Sequence, residues 1–181
     1  MRTKLLFSIM LAVILVFSGC DNNGDSGGGG WEAITNISQL DGRWVGSHSQ
    51  TIPIREFYGP GWNPEMQILF GNMNVTMTMN VDVTVNTSAR TESGTMSQTV
   101  RFHGGNINNM WPFLRAEFQS DPDVTINDSN HSITYSETYT NRPLDEAMFE
   151  DAEISGNGRQ VRFPLAEMGL GTSGYLILRK Q

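Results

Sequence analysis

The chain has 181 residues and a formal charge of −7, with Lys and Arg outnumbered 12 to 19 by Asp and Glu. That balance excludes the basic face needed to grip a nucleic-acid backbone and disfavours docking on anionic headgroups. A single cysteine rules out an intrachain disulfide, and the length suits one folded domain whose stability has to come from apolar burial.

The first residues read as an address, not as structure. Arg2 and Lys4 form a basic head, and Leu5 to Phe17 is an apolar run too short to span a bilayer comfortably. Ser18 and Gly19 are small residues that a signal peptidase accepts, and Cys20, the one cysteine, follows at once. This arrangement resembles the lipobox of bacterial lipoproteins. The resemblance implies that residues 1–19 are a signal peptide and that Cys20 receives diacylglycerol. It also implies cleavage before Cys20, acylation of the new amine, and anchoring in membrane lipid of the bacterial cell envelope. Each buried methylene of such chains contributes about 0.8 kcal/mol, so several chains anchor stably without a spanning helix. Residues 20–30 then hold the lipidated cysteine and a linker, DNNGDSGGGG, whose Gly and Ser give flexibility and whose Asn and Asp stay solvated.

Residues 31–181 form the predicted domain, and its pattern is β. The strand carrying Trp44 comes first. Val75 to Val85 alternates strictly, with Val75, Met77, Met79, Val81, Val83 and Val85 on one face and Thr76, Thr78, Asn80, Asp82 and Thr84 on the other. Thr95 to His103 repeats this more weakly. Further strands are predicted at residues 113–119, 124–127, 133–140, 147–154, 160–165 and 175–180. Turn chemistry separates them at Ser93-Gly94, Gly104-Gly105-Asn106, Asp121-Pro122-Asp123, residues 127–130 and Gly156-Asn157-Gly158. Helical signals are few: Asn63-Pro64-Glu65 caps a turn over Met66–Phe70, and residues 142–150 suit another. Such a meander must manage its edges by closing or stacking, so the expectation is all-β: a single small antiparallel up-and-down β-barrel of eight to nine strands. A β-sandwich is the alternative.

Gly42-Arg43-Trp44 opens the first strand after Ile34, Ile37 and Leu40. With the strand count and the basic end of YLILRK, it resembles the first signature of the lipocalin family. The resemblance implies that Trp44 plugs the closed end of a barrel, that Gly42 lets the chain turn into the strand, and that Arg179 packs across the indole. The family's Thr-Asp-Tyr turn and its final helix have no counterpart in this chain. In a β-sandwich, Trp44 would simply be core.

Residues 51–72 are long for a hairpin connection and carry Phe57, Tyr58 and Trp62 among prolines and glycines. Aromatics where polar residues would serve suggest a lid or recognition surface, or a cap on the core. An eight-stranded interior holds either side chains or one small ligand. Met77, Met79, Met96, Phe102 and Tyr135, with Val81, Val83, Val100, Ile133 and Tyr139, are its inward-facing candidates, and adaptable methionine suits a tolerant site as well as a core. His48, His103 and His131 lack metal-ligand spacing, and the acidic group Asp145, Glu146, Glu150, Asp151 and Glu153 lacks the order of a calcium loop. No nucleophile elbow, zinc-protease motif or phosphate loop is present, so no cofactor and no catalysis are expected. The leading expectation is a non-catalytic, membrane-anchored lipoprotein whose barrel binds a small hydrophobic ligand. The alternative is an envelope or host-interaction module with a filled barrel and recognition loops around Tyr58–Trp62 and Asn106–Trp111.

Overall fold

A computed structural model describes residues 30–144, 149, 151–165 and 174–181. The signal peptide, Cys20, the linker up to residue 29, and Asp145, Glu146 and Glu150 lie outside the described residues. The described residues form nine strands: β1 (Trp31–Ala33), β2 (Gly42–Pro53), β3 (Met73–Asn86), β4 (Thr91–Gly104), β5 (Val124–Asn127), β6 (Ser132–Pro143), β7 (Glu153–Ser155), β8 (Gln160–Pro164) and β9 (Tyr175–Lys180). Among the described residues three helices accompany them, α1 (Ile54–Tyr58), α2 (Pro64–Phe70) and α3 (Ile107–Phe118), with 3-10 turns at Ile37–Leu40 and Gly59–Gly61.

The strands form one sheet in the order β1-β7-β8-β9-β2-β3-β4-β6-β5, and the β1–β7, β7–β8, β8–β9, β9–β2 and β5–β6 pairs are antiparallel. The mostly antiparallel β architecture is as expected; the barrel is not. Among the described residues the sheet stays open, ending on β1 and β5, and no second sheet stacks on it. Alternation decides which face of a strand is buried but not which strand closes on which. Here α1 and α3, which the sequence does not announce, join the expected α2 in covering apolar side chains.

Contacts divide the chain into two compact units. Unit 1 comprises Ser49–Met79 and Ser97–Glu137; unit 2 comprises residues 30–48, Asn80–Met96 and Thr138–Gln181.

In unit 1 the buried cluster joins Met73, Val75 and Met77 of β3, Phe102 of β4 and Ile133 of β6 to Ile54, Phe70, Trp111 and Leu114 of the three helices. The other face of the same strands is hydroxyl-rich. Ser49 pairs with Thr78 at 2.9 Å, Thr51 with Thr76 at 2.7 Å, and Thr99 with Thr134 at 2.9 Å. Those contacts step in opposite directions along neighbouring strands, as antiparallel pairing requires. The predicted strand at residues 113–119 falls mostly within α3. Ile107, Met110, Trp111, Leu114 and Phe118 recur at helical spacing, and each packs in or against the core. Pro112 sits inside this helix and interrupts its hydrogen-bond ladder at one position.

In unit 2, Trp44 is 2% exposed and its indole Nε1 donates to the Leu40 carbonyl at 2.6 Å. Gly42 carries a φ of 113°, which a side chain would resist. The cation over the indole is Lys180, with Nζ 5.2 Å from the ring centroid, not Arg179. Register explains the correction: Trp44 stands opposite Lys180 and therefore shares its face, whereas Arg179 stands opposite Val45.

The expected turn at Ser93-Gly94 is also corrected, because both residues lie inside β4 and the hairpin turns at residues 87–90. Gly94 is there for close approach, since a Cβ would fall 2.2 Å from the Asp82 carbonyl oxygen. Glu92, 3% exposed, accepts from Arg142 Nε at 2.8 Å and Nη2 at 2.5 Å. At the β1 end, the Arg162 guanidinium lies 4.5 Å from the Trp31 ring centroid and 4.2 Å from that of Tyr175, and it bonds to Glu153.

Candidate functional site

The segment predicted as a long loop is largely helical and lies in unit 1. β2 runs through Pro53, whose ring opens α1 without a side-chain cap. Asn63 then caps α2 by accepting the Met66 amide at 2.9 Å, with Pro64 in the first turn, as the sequence signal indicated. Gly71, with φ at 59°, ends α2 and returns the chain to β3.

These short helices assemble a run of aromatic rings. Tyr58 lies 5.4 Å from Phe70 and 6.2 Å from Trp62, and Trp62 lies 6.0 Å from Phe70. Phe57 packs edge-on against Tyr58 at 5.5 Å and against Phe102 at 5.9 Å. The run continues from Phe102 to Trp111 at 6.4 Å and from Trp111 to His131 at 5.3 Å. Edge-on geometry sets the positive ring edge against a negative face, which adds to simple burial. Burial, with help from the Glu117 charge, pushes the Tyr58 phenol up to about 12. Trp111 Nε1 donates to Asp128 at 2.9 Å, and the same carboxylate meets Arg115 Nε at 3.0 Å.

The candidate residues do not converge on one lumen. Phe57, Tyr58 and Trp62 are half-buried against the unit 1 cluster, of which Met77, Phe102 and Ile133 are buried members. Met79 and Tyr135 are half-buried in unit 1, and burial raises the Tyr135 phenol, reinforced by Glu137, Asp123 and Asp121. Met96 is half-buried in unit 2, where Val81 and Val83 are buried and Tyr139 lies beneath the Arg142 guanidinium at 3.9 Å. The expected lining set is thus shared between two units.

Among the described residues, no three His, Cys, Asp or Glu side chains gather as metal ligands. His103 Nε2 meets Thr76 Oγ1 at 2.9 Å on the hydroxyl face. His48 Nε2 is buried without a hydrogen-bond partner among the described residues, and desolvation lowers its pKa. Asp151 is exposed, and Glu153 is held by Arg162.

One feature of this region escaped the sequence reading. Ile68 is 78% exposed and Leu69 52% on α2, and Phe113 is 68% exposed on α3. Asn106, at the start of α3, donates its side-chain amide to the Leu69 carbonyl at 3.0 Å, joining the two helices' ends. The signal was present in PEMQILF: Met66 and Phe70 share one helical face, so Ile68, two residues from each, must point away from it, with Leu69 at that face's edge.

No protein-family model, curated protein or solved structure matches this chain. No helix among the described residues is long and apolar enough to cross a membrane.

Proposed function

We propose that this protein is a non-catalytic interaction module, anchored through an acylated Cys20 in the bacterial cell envelope, whose working surface is the helical face of unit 1. One observation carries this reading: Ile68, Leu69 and Phe113 are large, apolar and solvent-exposed on two helices joined at the Asn106–Leu69 bond. Exposed apolar clusters of this kind mark contact surfaces more often than chance. The two segments expected to recognise a partner, around Tyr58–Trp62 and Asn106–Trp111, belong to this same unit. The test places a photo-crosslinking residue at Ile68, at Phe113 and, as a control, at exposed Arg159 in intact envelopes. Adducts confined to positions 68 and 113 support the module. Equal labelling at all three positions removes its basis.

A second reading keeps the small hydrophobic ligand. Half-buried Phe57, Tyr58 and Trp62 pack, with Met66 and Met110, against a cluster that includes Met73 and Met77, and methionine repacks readily around a guest. Binding would draw on apolar burial at about 25 cal/mol per Å². A fluorescent apolar probe that binds, and is lost in Trp62→Ala, supports this second reading; no uptake rejects it.

A further inference from the structure

We propose that the helical face formed by α2 and α3 docks on the lipid bilayer itself, inserting Ile68, Leu69 and Phe113 among the acyl chains. This rests on the anchored-module reading and names the component engaged. The first argument is that α2 is apolar on both sides. Met66 and Phe70 pack on the core, while Ile68 and Leu69 point outward with only Glu65 and Gln67 to solvate the helix. A helix without a polar face is one that is covered on both sides. α3 is amphipathic, burying Trp111 and Leu114, but its solvent side presents Phe113 and Pro112 among exposed Asn109, Arg115 and Glu117.

The second argument is charge. The chain is strongly acidic, yet the two helices carry only Glu65, Arg115 and Glu117, and Arg115 is already engaged by Asp128. Glu65 lies one turn from Ile68 and Leu69, and Glu117 one turn from Phe113, so this face fits a zwitterionic surface and is repelled by an anionic one. The third is protrusion. Side chains exposed to 78% and 68% stand out from the surface, as inserting residues do, and do not form the floor of a groove. The fourth is supply. An acylated Cys20 lies ten residues before Gly30, so residues 21–30 hold the domain within about 36 Å of lipid at full extension. Tethering on that scale turns weak insertion into an intramolecular event.

The test uses the full acylated chain in phosphatidylcholine vesicles. Cys20 is the only cysteine and is blocked by lipid, so Ile68→Cys, Phe113→Cys and Arg159→Cys each offer one thiol for an environment-sensitive fluorophore. A nitroxide-bearing lipid is expected to quench the labels at positions 68 and 113 about threefold more than the label at 159. Equal quenching at all three overturns the proposal. So does protection of 68 and 113 from aqueous iodide without quenching by lipid, which would mean cover by a protein or a second copy. Intact mass reports acylation separately. If Cys20 carries no lipid, the anchor reading fails, and vesicles added directly still decide the docking: preferential quenching sustains it and none ends it. The unlabelled double variant Ile68→Asn, Phe113→Asn, checked for unchanged circular dichroism, should lose that vesicle binding.

Discussion

Truncating Trp44 to alanine removes an indole that is 2% exposed, its 2.6 Å bond to the Leu40 carbonyl, and the ring beneath Lys180. Burial and cavity effects together put the cost at about 3–5 kcal/mol. Of that, the lost hydrogen bond accounts for about 1 kcal/mol and the cation over the ring for about 0.5–1 kcal/mol at this exposed edge. Trp44→Phe keeps most of the packing but leaves the Leu40 carbonyl without its donor, so about 1–3 kcal/mol is expected. The assay is urea unfolding followed by far-UV circular dichroism, because the tryptophan fluorescence left once Trp44 is gone comes from Trp31, Trp62 and Trp111, two of them in unit 1. In thermal melts the alanine variant should fall by about 10 °C, at about 2–4 °C per kcal/mol for a domain of this size. Lys180→Ala should cost less than Trp44→Phe, and Arg179→Ala should cost almost nothing. The reasoning is refuted if Trp44→Ala shifts stability by under about 1 kcal/mol, or if Arg179→Ala proves costlier than Lys180→Ala.

Gly94→Ala should lower the unfolding free energy by about 1–3 kcal/mol, read as a lower urea midpoint, because the new Cβ meets the Asp82 carbonyl oxygen at 2.2 Å and the Val83 Cα at 2.8 Å, both backbone atoms. A midpoint equal to the parent's would show that β3 and β4 do not approach so closely. Arg142→Met strands the Glu92 carboxylate, 3% exposed, at a cost of about 2–3 kcal/mol given that Arg142 is partly solvated; adding Glu92→Gln should recover much of it in a double-mutant cycle. Tyr58 should ionise near pH 12 in absorbance titration, above an ordinary phenol. Because its folded pKa is raised, its contribution is complete below the unfolded value of 10 and is lost as pH rises from 10 through about 12. Tyr58→Phe should flatten stability across that window, and an unchanged slope would place the ring elsewhere.

The chain's β content was legible because strict alternation has few other interpretations. The reading of Val75 to Val85 matches β3, with Val75, Met77, Val81, Val83 and Val85 buried. The Asn63-Pro64 start of α2 was legible for the same reason: a capping side chain acts within a single turn. Long-range pairing was not. Nothing local tells β6 to lie beside β4 or β7 beside β1, so closure into a barrel, which rested on strand number, edge management and the Gly42-Arg43-Trp44 resemblance, failed. Register failed in a narrower way, since a shift of one residue between β2 and β9 exchanges Lys180 for Arg179 over the indole. Residues 113–119 were misread because the short window hid Ile107, Met110 and Trp111, the residues that set the helical period. The candidate site suffered most, since its side chains come from helices and their connections, β3, β4 and β6, and only tertiary packing sorts lining from core.

The Arg162 clamp has a mechanical meaning. Any force on the backbone at Gly30 enters the fold through β1, a three-residue strand zipped antiparallel to β7 and lengthened by the bond from the Gly156 amide to the Gly30 carbonyl. A load applied there peels the rungs one after another, the weakest way to stress a ladder. Trp31 is the first residue to feel it, and its indole is held by a guanidinium that also stacks on Tyr175 and bonds to Glu153. Arg162 therefore works as a rivet through β1, β7, β8 and β9, spreading a tug on one strand end across four, and its loss should show first as lower rupture force in a pulling experiment.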